Sequence, residues 1–178
     1  MTGIDRRDVL TGLAVASALT ATAAKAQAQS NAPQQSRALD LKALKKDTDI
    51  ACVYHCDFGD ASRVGQMITN IDNHLSVYDY DPFKAKIVVV AHGAGIKPFL
   101  DNLEGTPWAK DAPAPALIER FQGLSKMGVE VYLCQITFKR NKIDTAKART
   151  DDFIKTVPSG VAALAELQAK GFGYIKVG

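Results

Sequence analysis

Three cysteines and three histidines supply the reactive side chains of this 178-residue chain. Cys134 closes the apolar run Val129-Glu130-Val131-Tyr132-Leu133 just ahead of a helix start, where a thiol is favoured as the nucleophilic thiolate. With imidazoles nearby it could attack sulfane sulfur and hold it as a persulfide. The same thiol also reads as packing, since free cysteine is among the most buried residue types. His55 and Cys56 end one apolar run, His92 ends another, and Ser159 follows a fourth at a helix start. Free N–H groups at such a start can hold an anion. Gly93 and Gly95 behind His92 are candidate amide donors for an anion or substrate, but they also suit a tight turn. They lack the third glycine and the later acidic partner of a dinucleotide fingerprint. No G-x-S-x-G is present for a nucleophile-elbow hydrolase.

Cys52-Val53-Tyr54-His55-Cys56 offers different chemistry. Cys52, His55 and Cys56 are candidate ligands for a thiophilic metal such as copper or zinc, although the spacing is not that of a closed zinc site. On one regular strand Cys52 and Cys56 share a face about 13 Å apart by strand rise, too far to bridge. His55 then faces the other way, so a metal site needs a bend at the strand end. A Cys56–Cys134 disulfide is the more plausible pairing if their strands are near. His74, inside Ile-Asp-Asn-His-Leu, reads as a hydrogen-bonded packing residue, and Trp108 as either a lid or packing.

The elements that must position these residues alternate regularly. Strands are expected over 50–55, 86–91, 129–134, 153–157 and 172–177. Helices are expected from Asp60 or Ser62 through Leu75, over 116–126, beginning somewhere within 137–144, and from 160 to 170. Leu39 to Lys46 reads as a short lead-in helix. The run Ile87-Val88-Val89-Val90-Ala91 is apolar on both faces, which belongs in a covered parallel sheet. The expected fold is α/β: three α/β/α layers with a mainly parallel five-stranded sheet. In such a sheet, sites form beyond the carboxyl ends of the strands, where most of the cysteines and histidines fall.

The formal net charge of +3 is too balanced for a surface that tracks phosphates, which argues against a nucleic-acid partner. Residues 1–28 read as a signal peptide. Arg6 and Arg7 precede an apolar run, Leu10 to Ala24, which is too short for a membrane span and ends in small-x-small cleavage sites. The arginine pair fits the twin-arginine pattern, although Asp5 and Val9 depart from its usual residues. Residues 29–48 are then a polar linker with the lead-in helix, and 49–178 the folded domain. A periplasmic location is expected, with no membrane attachment after signal removal.

Several segments together resemble the exported branch of the DsrE/DsrF-like family. They are Val53-Tyr54-His55, Asn70 to Leu75, His92-Gly93-Ala94-Gly95-Ile96 with the strand before it, Gly128 to Cys134, Val157-Pro158-Ser159-Gly160-Val161, Leu167-Gln168 and Gly173-Tyr174-Ile175-Lys176. The resemblance implies a DsrE-like α/β/α domain assembled as a trimer or hexamer. It also implies a sulfurtransferase-like carrier whose cysteine exchanges sulfane sulfur with donor and acceptor proteins or small sulfur compounds; here that is Cys134, and the strand-end positions of His55 and His92 suit them to tune or orient it. Cys134 matches the cysteine of that branch, whereas Cys52 and Cys56 look like additions. A non-catalytic oligomeric module binding a thiophilic metal or a protein partner is the alternative.

Overall fold

The computed structural model describes residues 37–112 and 114–178. The signal-peptide reading lies outside the described residues. Ten named elements follow in order: β1 (Arg37–Ala38), β2 (Ile50–Cys56), α1 (Ala61–Ser76), β3 (Ala85–Ala91), α2 (Pro115–Ser125), β4 (Glu130–Cys134), α3 (Gln135–Arg140), β5 (Ile154–Val157), α4 (Gly160–Ala169) and β6 (Gly173–Lys176). All strand pairs are parallel, in the order β1-β5-β4-β3-β2-β6.

Sequence pattern explains most of these elements. Asp60 caps α1 by accepting the Arg63 N–H at 2.8 Å, and Val64, Met67, Ile68, Ile71 and Leu75 recur at helical spacing on its buried side. Pro115 opens α2, where its missing N–H costs nothing. Ser159 caps α4 by accepting from the Ala162 N–H at 3.3 Å. In β3 every residue except Lys86 is buried, as a central strand covered on both faces requires.

Two apolar layers cover the sheet. α1, α2 and Phe138 of α3 pack with Tyr54, Ile87, Val89, Val131 and Leu133 on one face. α4 packs with Ala51, Val53, Val88, Val90 and Tyr132 on the other. The chain steps from β2 through β3 and β4 to β5 over the first face, then returns over the second to place β6 beside β2. Opposite directions of travel on opposite faces are what right-handed crossovers demand.

Two local expectations change, and one segment is newly defined. The lead-in segment is not an α-helix but β1, a 3-10 turn over Leu41–Ala43, and Leu44, which is buried. The Leu39 N–H donates to the Thr156 carbonyl at 2.7 Å, extending the pairing that covers the β5 edge. The third helix begins at Gln135, directly behind Cys134, and ends at Arg140. The segment after His92 is a 3-10 helix, Gly93–Phe99, with Pro98 inside it.

Candidate functional site

Alternation along each strand decides which face a side chain takes. Ala51 and Val53 face α4, so His55 does too. Val88 and Val90 face α4, and the extended backbone of His92 continues that parity. Tyr132 faces α4, and Cys134 follows it. Neighbouring strands therefore bring His55, His92 and Cys134 to one face at one end of the sheet. The connections after β2, β3 and β4 cover the first face, while α4 after β5 covers the second. The switch point thus lies between β4 and β5, and Cys134 and the start of α4 flank it, where ligands of open parallel sheets bind.

α4 begins against both side chains. A Cβ on Gly160 would stand 3.1 Å from the Cβ of Cys134 and 3.1 Å from that of His92. Only glycine leaves them that space, and their Cβ atoms are at most twice that distance apart. A sulfur-accepting thiol calls for partial exposure, but Cys134, which is free, is only 5 % exposed, and the first turn of α4 covers it. Two neighbours of the site, Ile136 and Val161, are 40 % and 65 % exposed.

The imidazoles form a relay. His55 Nε2 lies 2.6 Å from His92 Nε2, and His55 Nδ1 lies 2.6 Å from the Tyr174 hydroxyl. A hydrogen bond between two Nε2 atoms needs one protonated nitrogen and one bare one, so the pair shares a single proton. If Tyr174 donates to His55, His55 donates to His92; if His92 donates, the chain runs backwards. Burial first, then the neighbouring His92, and more weakly Lys176, push the His55 pKa down, while Asp57 pulls it up. Both effects that dominate disfavour a second proton.

Gly93 and Gly95 are not free donors. The Gly93 N–H donates to Thr137 Oγ1 at 2.9 Å and the Gly95 N–H to the His92 carbonyl at 3.0 Å. Gly93 has φ of 55°, and a Cβ on Gly95 would collide with the Cys56 carbonyl. The turn reading is the one the geometry supports. At Ser159 the side chain is spent on its cap, but the Gly160 and Val161 N–H groups donate to no described residue.

The proposed metal trio is not assembled. β2 stays regular through Cys56, so Cys52 and Cys56 face α1 while His55 faces α4. Among the described residues no three His, Cys, Asp or Glu side chains stand at metal-holding separation. The Cys56–Cys134 disulfide fails for the same reason, since the two thiols lie on opposite faces and all three cysteines are free. Cys56 is buried beside the Phe58 carbonyl at 3.5 Å, and burial pushes its thiol up to about 12. His74 is the polar packing residue expected, with Nδ1 3.1 Å from the Tyr54 hydroxyl. Trp108 packs on the α1–α2 face, away from Cys134, so it is no lid.

Tyr174, Thr137 and Gly160 are the site residues that residue type alone does not announce. Tyr174 stands beside His55 only because β6 pairs with β2, with Tyr174 opposite Val53. A cleft of about 640 Å³ lined by Gln122, Lys126, Glu130 and Asp151 lies at the opposite ends of β4 and β5, and none of the cysteines or histidines lines it. No helix among the described residues is long and apolar enough to cross a membrane.

Comparison with known proteins places this geometry. A solved structure of a protein of unknown function from Methanobacterium thermoautotrophicum, MTH1491, superposes with a TM-score of 0.56 at 24 % identity, covering 72 % of this chain and 99 % of that one. That likeness supports the fold. An uncharacterized protein of Aquifex aeolicus (strain VF5) is 25 % identical over 127 residues, which are 71 % of this chain. The chain spans about half the length of that curated relative, 55 %. The model of the DsrE/DsrF-like family matches residues 19–177, nearly the whole sequence. By that match, and with the parallel sheet and its layers in agreement, the chain belongs to the DsrE/DsrF-like family.

Proposed function

We propose that this protein is a periplasmic sulfane-sulfur carrier in which Cys134 is the acceptor. The observation that carries the reading is the convergence of Cys134, His92 and His55 on one face at the sheet's switch point. His92 takes the Cys134 proton. The thiolate attacks the outer sulfur of a donor persulfide, R–S–SH; the new S–S bond forms as the donor's S–S bond breaks. The donor leaves as a thiolate and recovers the proton, so a thiol and a persulfide have changed places without net oxidation. His55 and Tyr174 set the polarity of the shared proton, and the unpaired Gly160 and Val161 amides face an anion with a positive helix end.

Ile136 and Val161 make the rim apolar, as suits docking of donor and acceptor proteins. Residues 1–28 direct folded export through the twin-arginine route, and the exported domain assembles as a trimer or hexamer. Native mass spectrometry before and after polysulfide treatment tests the reading. A mass gain of one sulfur atom in the wild type, lost in Cys134→Ser, supports it; uptake that survives that substitution sinks it. Lysine in place of both Arg6 and Arg7 should hold the protein inside the cell.

A further inference from the structure

On the face away from Cys134, a second cysteine meets a second histidine. Cys52 comes from the middle of β2 and His74 from the last turn of α1, with Sγ 4.0 Å from Nε2. Both side chains are partly exposed. Across from Cys52, β6 carries Gly173, whose absent side chain leaves the sulfur uncovered; a Cβ there would stand 3.5 Å from it. The imidazole is held from behind. Its Nδ1 lies 3.1 Å from the Tyr54 hydroxyl, which reaches the Asn70 carbonyl at 3.4 Å. With Tyr54 donating to that carbonyl, it accepts the Nδ1 proton, and His74 presents a bare Nε2 to the sulfur.

This is the arrangement of a ligating histidine with its outer partner in place. First-row ions bind thiolate sulfur at about 2.3 Å and imidazole nitrogen at about 2.0 Å. The observed separation is a little short of the straight-line sum of those bonds and longer than a tetrahedral angle gives. An ion between the two atoms therefore has a wide, two-coordinate bond angle. Thiolate and imidazole together suit a soft ion, and two ligands suffice for copper(I) but not for zinc. We propose that Cys52 and His74 bind one copper(I) ion on the α1 face of the sheet.

Binding replaces the thiol proton: the Cys52 S–H bond breaks, the proton passes to solvent, and the S–Cu and N–Cu bonds form with no change of oxidation state. Burial keeps His74 neutral and ready as a ligand. The same burial holds the Cys52 thiol protonated in the absence of metal, while Lys46 opposes it more weakly.

Anaerobic titration of the full chain with copper(I) against a chromophoric copper(I) chelator tests the site. One equivalent should compete with the chelator in the wild type and in Cys134→Ser. It should be lost in Cys52→Ser and weakened at least about tenfold in His74→Gln, which keeps a polar side chain against Tyr54. Tyr54→Phe, removing only the outer partner, should weaken binding by about 10- to 100-fold. Unchanged affinity in His74→Gln means a lone thiol binds the metal and overturns the proposal, as does loss in Cys134→Ser. Because a variant can fail to fold, the wild type is also followed by imidazole NMR, with silver(I) as a redox-inert probe. The His74 resonances should move while those of His55 and His92 stay; the reverse overturns it. Neither readout depends on sulfur uptake at Cys134.

Discussion

The two faces of the sheet carry the same pair of residue types in opposite settings. Toward α4, Cys134, His92 and His55 all sit at strand ends, where the connecting loops begin, although the first turn of α4 covers the Cys134 thiol. Toward α1, Cys52 lies mid-strand and His74 within a helix, so both are fixed by regular backbone and meet each other across the sheet–helix layer. Their second partners differ as well. His55 is linked to another imidazole, so a proton can be handed on; His74 is linked to a tyrosine whose pKa burial pushes up to about 12, so that proton stays where it is. A strand-end pair is suited to exchange, and a strand–helix pair to holding.

The comparison can be broken most sharply by exchanging the cysteines' roles. Cys134→Ser should abolish sulfur uptake, and Cys52→Ser should leave it intact, both read as mass gain after polysulfide. Loss in both variants would mean the faces are not independent. Gly160→Ala presses a methyl group against Cys134 and His92, an overpacking that costs about 1–3 kcal/mol. Its melting temperature should fall by roughly 2–4 °C for each of those kcal/mol, with slowed uptake, while copper(I) affinity stays unchanged. Tyr174→Phe removes one hydrogen bond from the relay, worth about 0.5–1.5 kcal/mol, and should slow uptake roughly two- to tenfold. The persulfide rate against pH should shift with it, a change that simple loosening of β6 would not produce.

The smallest effect is on stability against pH. Burial lowers the pKa of both His55 and His74, so the unfolded chain, whose histidines titrate near 6.5, gains protons first as the solution acidifies. Stability from these groups is complete above that value and declines as pH falls through the lower folded values. His55→Gln and His74→Gln should each flatten the decline in denaturant midpoint below pH 6.5. A decline unaltered by either would show that other groups dominate it.

Much of the α4-face site was legible before any fold was known. Each of His55, His92 and Cys134 closes an apolar run, and period-two alternation fixes which way it points once the run is a strand. That Cys52 and Cys56 oppose His55 was readable in the same way. What could not be read was anything that depends on sheet order or helix rotation. Tyr174 reaches His55 because β6 returns beside β2, and nothing local states that return. The Cys52–His74 pair depends on how α1 is turned over β2. The amides of Gly93 and Gly95 looked available because sequence does not reveal that Thr137 and the His92 carbonyl occupy them.

β6 has a part in both sites: Tyr174 bonds to His55 on one side, and Gly173 borders Cys52 on the other. Joining Tyr174 to His55 closes 119 residues of chain. Loop-closure entropy rises with the span to be closed, so we expect this pairing to follow those of strands nearer in sequence. Until it happens, the His55–His92 pair lacks its tyrosine partner and Cys52 its bordering glycine. An immature chain with the rest of its sheet in place would therefore present cysteines without their finished surroundings, and maturation of both chemistries would be registered by a single late docking event at one edge.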